Sequence, residues 1–313
     1  MSKQSAVIIG GTIAIDHVKT PNAEASNLLG GSASYASIAA SYYTSPVHLV
    51  GIIGKDFPKE HVELFNSKGI TLEGVERSQG DSFSWSGEYH ENMNDRTTHQ
   101  VDINVLEGWS VKVPERISDA PIVVLANMSP DNQLQMLDAC KGAKFVVADT
   151  MDLWISIANE RLHDVLKRID LLVINESEAR EFVGTSNLII AGRRLLDKGP
   201  RNVVIKLGEF GAILFSATET GSAPRLFRCA AFPLDEVADP TGAGDSFLGA
   251  LAGSLAATGK DEFSFEDIRR AVVEGSVVAS FTCEAFSTRR LQGLTRQEIQ
   301  ERETFLKSIT HWP

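Results

Sequence analysis

Asp239-Pro240-Thr241-Gly242-Ala243-Gly244-Asp245-Ser246-Phe247 is the stretch on which the reading of this chain turns. Two glycines flank an alanine, and an aspartate follows at once. A helical apolar pattern then runs through Phe247, Leu248, Ala250, Leu251 and Leu255. Glycine reaches backbone conformations that a side chain forbids, so successive N–H groups here can point one way. The helix that follows adds its unpaired N-terminal N–H groups and the positive end of its dipole. Together these make an anion site, and phosphate is the anion it suits. Asp245 stands inside that positive field, where two readings are open. One is a helix cap, since Asp and Ser are favoured at helix starts. The other is a base facing a hydroxyl that attacks phosphorus.

Outward from this segment, the chain of 313 residues has room for one large α/β domain with an appendage, or for two modest domains. With 23% charged and 43% hydrophobic residues it has the make-up of an ordinary soluble globule. A net charge of −11 argues against a general nucleic-acid binder, because the phosphate backbone is repelled. No apolar run approaches the roughly 20 residues that a membrane helix needs, so no membrane span is expected. The N-terminal residues lead straight into Val7-Ile8-Ile9, with no signal-peptide h-region or cleavage site. Cys140, Cys229 and Cys283 are far apart and odd in number. They suggest neither a disulfide framework nor a zinc site, and a cytoplasmic setting is the expectation.

Short apolar runs alternate with amphipathic stretches. Val7–Ile9, Leu49–Ile53, Ile122–Ala126, Phe145–Ala148, Leu171–Ile174 and Val203–Leu207 read as buried strands. Several lack polar alternation, as in a parallel sheet covered on both faces. Ser34–Tyr43, Glu60–Lys68, Asp131–Lys141, Asn159–Lys167, Glu176–Phe182 and Leu188–Lys198 carry helical patterns between them. This order predicts a doubly wound, mostly parallel α/β sheet with helices on both faces, as a single domain over residues 1–313. A final helix is announced by the Thr295/Glu298 capping pair ahead of Ile299, Leu306 and Ile309. The tail His311-Trp312-Pro313 carries no recognisable chemistry.

One region breaks the pattern. Phe83, Trp85, Gly87 and Tyr89 alternate, and Thr97, His99, Val101 and Ile103 do so again after an Asn/Asp turn. That predicts an antiparallel hairpin, with Thr12–Val18 and Ala25–Leu29 as two further strands beside it. A patch this small cannot hold its own core. The expectation is a β-sheet lid, made of residues 12–30 and 74–105, that closes over a site and excludes water. Its strand edges invite a homodimer through the lid.

Three elements together resemble the ribokinase-like (PfkB) family of small-molecule kinases. The segment Asp239–Phe247 looks like the family's C-terminal signature at every position. Gly30-Gly31-Ser-Ala-Ser-Tyr-Ala-Ser-Ile-Ala-Ala-Ser41, followed by Val50-Gly-Ile-Ile-Gly-Lys-Asp-Phe57, resembles its N-terminal Gly-Gly signature. Asn175-Glu-Ser-Glu178 fits its Asn-x-x-Glu element. The likeness runs from Gly10 to about Leu291, and order and spacing agree. A phosphate-loop NTPase is a poor match, since no Gly-x4-Gly-Lys-Ser/Thr occurs; Gly51-Ile-Ile-Gly-Lys-Asp56 is only superficially like one.

The resemblance implies an ATP-dependent phosphotransferase acting on an alcohol group of a sugar or related polyol. A nucleoside kinase is the alternative, and a non-catalytic nucleotide-binding regulatory relative a more distant one. It implies Asp245 as base, and the N–H groups of Gly242, Ala243 and Gly244 as the hole for the transferring phosphoryl group. Asn175 and Glu178 would orient hydrated Mg2+, while spacing alone reads them as a capped helix start. Gly208 and Gly211, in the turn after Val203–Leu207, would let ATP approach the backbone. Lys206 would reach a phosphate or stand solvated at the strand end, and Thr241 would line the nucleotide side. Asp16, Gly30 and Gly31 would hold acceptor hydroxyls. Tyr35 departs from the asparagine common in the family, so the acceptor or its pose differs. Trp85, Tyr89 and Arg96 of the lid would face the substrate. Asp239 would help bind a monovalent cation such as K+. The segment Cys283–Arg290, which would complete that site, does not follow the usual family wording.

Overall fold

The computed structural model describes residues 4–218 and 223–310, so the terminal His311-Trp312-Pro313 lies outside the described residues. The first half of the chain runs β1 (Val7–Gly10), β2 (Ala14–Lys19), β3 (Glu24–Gly30), α1 (Ser32–Ser41), β4 (Val47–Ile53), α2 (Lys59–Ser67), β5 (Ile70–Arg77), β6 (Phe83–Tyr89) and β7 (Arg96–Asp102). Then come β8 (Ile122–Leu125), α3 (Pro130–Ala139), β9 (Phe145–Asp149), α4 (Asp152–Ile157), α5 (Asn159–Leu166), β10 (Leu171–Asn175), α6 (Glu176–Val183) and α7 (Leu188–Leu196). The last part holds β11 (Asn202–Lys206), β12 (Ala212–Ser216), β13 (Arg225–Cys229), α8 (Ala243–Ala257), α9 (Phe265–Thr282), α10 (Arg289–Gln292) and α11 (Arg296–Thr310).

Nine strands form one sheet in the order β13-β12-β11-β10-β9-β8-β1-β4-β5. From β11 through β5 every pairing is parallel, while β12 and β13 add antiparallel at one edge. The apolar strands are buried on both faces because their alternate residues enter different cores. Val7, Ile9, Leu49, Val124 and Val147 pack with α1, α8 and α9. Ile8, Val50, Val123, Val146 and Ile174 pack with α3, α5, α6 and α7. Each such side chain, fully buried, contributes on the order of 1.5–3 kcal/mol. Helices α1 and α8 meet at a glycine: a Cβ on Gly249 would lie 2.0 Å from the Ala36 carbonyl oxygen. That close approach fixes where α8 begins, and so where Asp245 stands.

The second sheet has the order β3-β2-β6-β7. β2 pairs antiparallel with β3 and parallel with β6, and β6 forms the expected hairpin with β7. Its own apolar cluster is small, with Val18, Leu28 and Tyr89 at its centre, as befits a cover over a larger body. One boundary needs correction. Residues 74–77 belong to β5, which extends the main sheet beside β4, so the second part of the lid starts after Arg77. Gly74 and the polar residues Glu73, Glu76 and Arg77 disguise this edge strand in the sequence.

The terminal helix has the capping pair the sequence suggests. Glu298 N–H donates to Thr295 Oγ1 at 3.2 Å, and Thr295 N–H donates to Glu298 Oε2 at 2.9 Å. All three cysteines are free thiols. Among the described residues no helix is long and apolar enough to cross a membrane.

Candidate active site

The carboxyl ends of β9, β10 and β11 and the start of α8 converge on one place. There the Asp239–Phe247 segment makes a tight turn. Ala243 N–H donates to the Pro240 carbonyl at 3.2 Å, and Gly242 has φ 77° and ψ 2°. Those angles belong to the third position of a type II turn, which favours glycine. Steric contact demands it as well, since a Cβ on Gly242 would lie 2.3 Å from the Tyr35 ring. Helix α8 starts directly after this turn, earlier than its apolar pattern at Phe247 implies. Gly242 is the N-cap, and Asp245 is the third helical residue.

Two expectations change here. Asp245 does not cap the helix, because α8 has no side-chain cap hydrogen bond. Ala243 is not a free donor in the anion hole, because its N–H closes the turn. The N–H groups of Gly242, Gly244 and Asp245 donate to no group among the described residues, so three donors remain at the positive end of a 15-residue helix. That is a cradle for anionic oxygens.

Asp245 is half-buried. Burial, reinforced by the nearby Asp149 carboxylate, pushes its carboxyl up from 3.8 to about 6; Lys206 and Arg96 pull the other way. A base with that value is ionised at neutral pH yet still takes a proton readily. The Lys206 ammonium is held by Asp149 Oδ2 at 3.2 Å. It lies 2.9 Å from the point a Cβ on Gly244 would occupy, so it faces the anion cradle and not open solvent. Burial works against its positive charge, but Asp149, Glu178 and Asp245 together hold its pKa above the usual lysine value.

Asn175 and Glu178 form a reciprocal capping box on α6. Glu178 N–H donates to Asn175 Oδ1 at 2.9 Å, and Asn175 N–H donates to Glu178 Oε2 at 3.0 Å. The capped-start reading is therefore realised. It leaves Glu178 Oε1 outside the box, and burial raises the Glu178 carboxyl above the usual range. Among the described residues no three His, Cys, Asp or Glu side chains stand together as a metal cage. Hard oxygen donors in ones and twos suit a cation that keeps its waters and rests mainly on phosphates, as Mg2+ does. Gly208 (φ 55°) and Gly211 (φ 88°) shape the turn after β11. A Cβ on Gly211 would strike the Cys229 carbonyl at 2.0 Å, so this glycine serves the packing of β13. Gly208 faces the lid turn, with Asn94 Oδ1 3.4 Å from its would-be Cβ.

On the other side, Asp16 of β2 is 5% exposed, and burial together with Asp239 and Asp245 pushes its carboxyl up to about 8. Its carboxylate lies flat on Gly30, where any Cβ would come within 2.0 Å of Cγ. Gly31 (φ 88°) caps α1 and lies tightly against the Thr12 carbonyl. Tyr35 is placed differently from the sequence expectation. At 1% exposure it is closed off beneath Gly242 and props up the anion turn instead of offering a surface to a substrate. Trp85 lies over Gly87 and donates from Nε1 to Thr98 Oγ1 at 3.3 Å, so much of its ring covers the lid itself. Tyr89 accepts a hydrogen bond from Thr241 Oγ1 at 3.2 Å, which latches the lid to the anion turn. Arg96 is exposed and close enough to act on Asp245. Asp239 is fully buried, and each of its oxygens takes an N–H: Thr241 at 2.9 Å and Ser287 at 3.0 Å. The carboxylate thus anchors the loop. Ser287 in turn donates from Oγ to the Leu29 carbonyl of β3 at 2.5 Å.

One candidate, Asp149, escaped the sequence reading, and a second, Ser287, entered it only as part of the segment Cys283–Arg290. Asp149, the last residue of β9, has no motif around it, and its partner Lys206 is far along the chain. Ser287 sits at φ 57°, a strained conformation for serine that nothing in its local sequence announces.

The pfkB family carbohydrate kinase profile matches residues 4–292. The chain therefore belongs to the pfkB family of carbohydrate kinases, which are small-molecule kinases. Among characterised relatives, it is 28% identical to a cytidine kinase of Thermococcus kodakarensis, over 79% of this chain and 87% of that one. It is 24% identical to a ribokinase of Lactococcus lactis, over 87% and 89% of the two chains. In fold it is similar to the ribokinase of Giardia lamblia, with a TM-score of 0.79, 20% identity and 97% and 99% of the two chains covered.

Proposed function

We propose that this chain is an ATP- and Mg2+-dependent kinase that phosphorylates an alcohol group on a sugar or related polyol, with Asp245 as the general base. The observation that carries the reading is Asp245 itself: a carboxylate at the third position of α8 that caps nothing, pushed up to about 6 by burial, beside Lys206 and three N–H donors that meet no partner among the described residues. Asp245 takes the proton of the acceptor hydroxyl as that oxygen bonds to the γ-phosphorus. The bond from phosphorus to the β,γ-bridging oxygen breaks, and ADP leaves with its electron pair. The N–H groups of Gly242, Gly244 and Asp245, with Lys206, hold the charge on the transferring oxygens. Mg2+, placed by Asn175 and Glu178 through water, would neutralise phosphate charge. Thr241 and Gly208 border the nucleotide, and Gly211 holds the turn against β13. Asp16, with Gly30 and Gly31 behind it, holds acceptor hydroxyls, and β6 and β7 close over them.

A nucleoside acceptor is the second reading. One observation favours it: the likeness to a cytidine kinase. An ADP-release assay across sugars, polyols, sugar acids and nucleosides tests both, with Asp245→Asn as the blank. ATP binding without ADP release on any acceptor would overturn catalysis and favour a regulatory module. Potassium dependence is a separate question, and equal rates in potassium and tetramethylammonium buffers rule it out. The β7 edge, exposed from Arg96 to Val101, suits pairing with a second copy; a monomer in light scattering rules that out.

A further inference from the structure

The residue that no motif covers is Asp149. It ends β9 at the carboxyl edge of the sheet and is 5% exposed. One oxygen, Oδ1, accepts the N–H of its neighbour Thr150 at 2.8 Å, which fixes the carboxylate plane. The other, Oδ2, accepts from Lys206 Nζ at 3.2 Å. The two residues come from β9 and β11, the strands on either side of β10, and Asn175 is directly beside Lys206 in the register. Lysine carries a compact charge on a flexible stem, and holding it in one place costs rotamer entropy. Left alone at a strand end, such an ammonium favours water. Here it is instead turned inward, 2.9 Å from the position of a Cβ on Gly244. Glu178 and Asp245 attract it from further away, and Asp149 is the carboxylate at hydrogen-bond distance.

We propose that Asp149 is a positioning residue for phosphoryl transfer: it pins the Lys206 ammonium against the Gly244 side of the anion turn, where the charge of the moving phosphoryl group collects. This rests on the kinase reading above. Asp149 acts through Lys206 and touches neither ATP nor acceptor. An ion pair that served only the fold would leave turnover alone once the protein was folded, and a carboxylate with its own task would act whether or not Lys206 was present.

A double-mutant cycle separates these cases. Lys206→Met, Asp149→Asn and the double variant are compared with wild type for kcat and for KM of ATP, after circular dichroism confirms the fold. Losing one preorganised charge at a transition state costs about 10²–10³ in kcat. Lys206→Met is expected to fall in that range. Asp149→Asn should lose at least about tenfold in kcat, and the double variant should be no slower than Lys206→Met alone. Multiplying losses, or wild-type kcat in Asp149→Asn, overturn the proposal. Should Asp149→Asn not fold, Asp149→Ser takes its place in the cycle. If wild type phosphorylates no acceptor, the kinase reading fails, and the pair is then judged by calorimetric binding of ATP against ADP. In that case Asp149→Asn must change the ATP-over-ADP preference, and that change must vanish in the Lys206→Met background. A change that persists there, or no change at all, overturns it.

Discussion

Replacing Asp245 with asparagine should remove activity and add stability at the same time. In the folded protein burial lifts this carboxyl from 3.8 to about 6, so ionising it costs folding free energy. At about 1.4 kcal/mol per pH unit the full shift is worth about 3 kcal/mol, and solvent screening of a half-buried group reduces this to about 1–2 kcal/mol. The sign follows from linkage. A folded-state pKa above the unfolded one gives a contribution that is complete below pH 3.8 and lost as pH rises through about 6. Wild type therefore carries the penalty at pH 7.5 and is free of it near pH 3.8. Asparagine never carries it. The melting temperature of Asp245→Asn should exceed wild type by about 2–4 °C at pH 7.5, and the gap should close in acid. Turnover should drop by about 10²–10⁴, or about 3–5 kcal/mol in the barrier. In wild type, kcat/KM should fall about tenfold per pH unit below about pH 6, as the base takes its proton before the acceptor arrives. ADP release and differential scanning calorimetry read both arms. Near-normal turnover in Asp245→Asn would refute the base. Lost turnover with a lowered melting point at pH 7.5 would show that the substitution had damaged structure instead.

Other perturbations have equally definite outcomes. Gly242→Ala must place a Cβ 2.3 Å from the Tyr35 ring with φ near 77°; left-handed strain and overpacking together should cost about 2–5 kcal/mol in urea unfolding, and an unchanged midpoint contradicts that packing. Glu178→Gln keeps the size of the side chain but removes its charge, so the Mg2+ concentration for half-maximal rate should rise at least about tenfold; an unaltered magnesium curve assigns Glu178 to the capping box alone. Asp16→Ala should raise acceptor KM by about 10² while leaving ATP binding intact, and parallel losses for both substrates would dissociate Asp16 from the acceptor. Because the Asp16 carboxyl is pushed up to about 8, an acceptor held by its ionised form should bind more tightly as pH rises towards that value, which calorimetry in several buffers reads as proton release.

What the sequence disclosed and what it hid have physical causes. The strands at the centre of the sheet are buried on both faces, so Val7–Gly10, Ile122–Leu125 and Leu171–Asn175 read as unbroken apolar runs. The edge strands β5 and β13 are partly solvated and polar, and β13 has Arg225 and Arg228 in its five residues, so neither stands out. Helix α9 is hidden for another reason. Its buried side includes Glu274, Gly275, Ser276 and Ser280, which blur the apolar stripe, and Gly275 lets Phe247 of α8 come close. In the site, Gly242 and Asp245 were legible because a turn and a helix start are local events. The parts that depend on distant contacts were not. Tyr35 looks like a substrate contact until the turn is seen resting on it. Asp149 gains meaning only beside Lys206, and Ser287 only where it meets Asp239 and Leu29.

Ser287 has one further consequence. Its amide holds the carboxylate that anchors the turn before α8, and its hydroxyl holds a lid strand beside Asp16. On the kinase reading proposed above, Ser287 joins the acceptor side to the nucleotide side, so a ligand that shifts β3 should be felt at Asp239. Thermodynamics then imposes symmetry: by whatever factor acceptor tightens nucleotide, nucleotide must tighten acceptor. The expected outcome is synergy between the two ligands, carried through this joint. Severing it with Ser287→Ala should weaken that mutual factor more than either affinity measured alone.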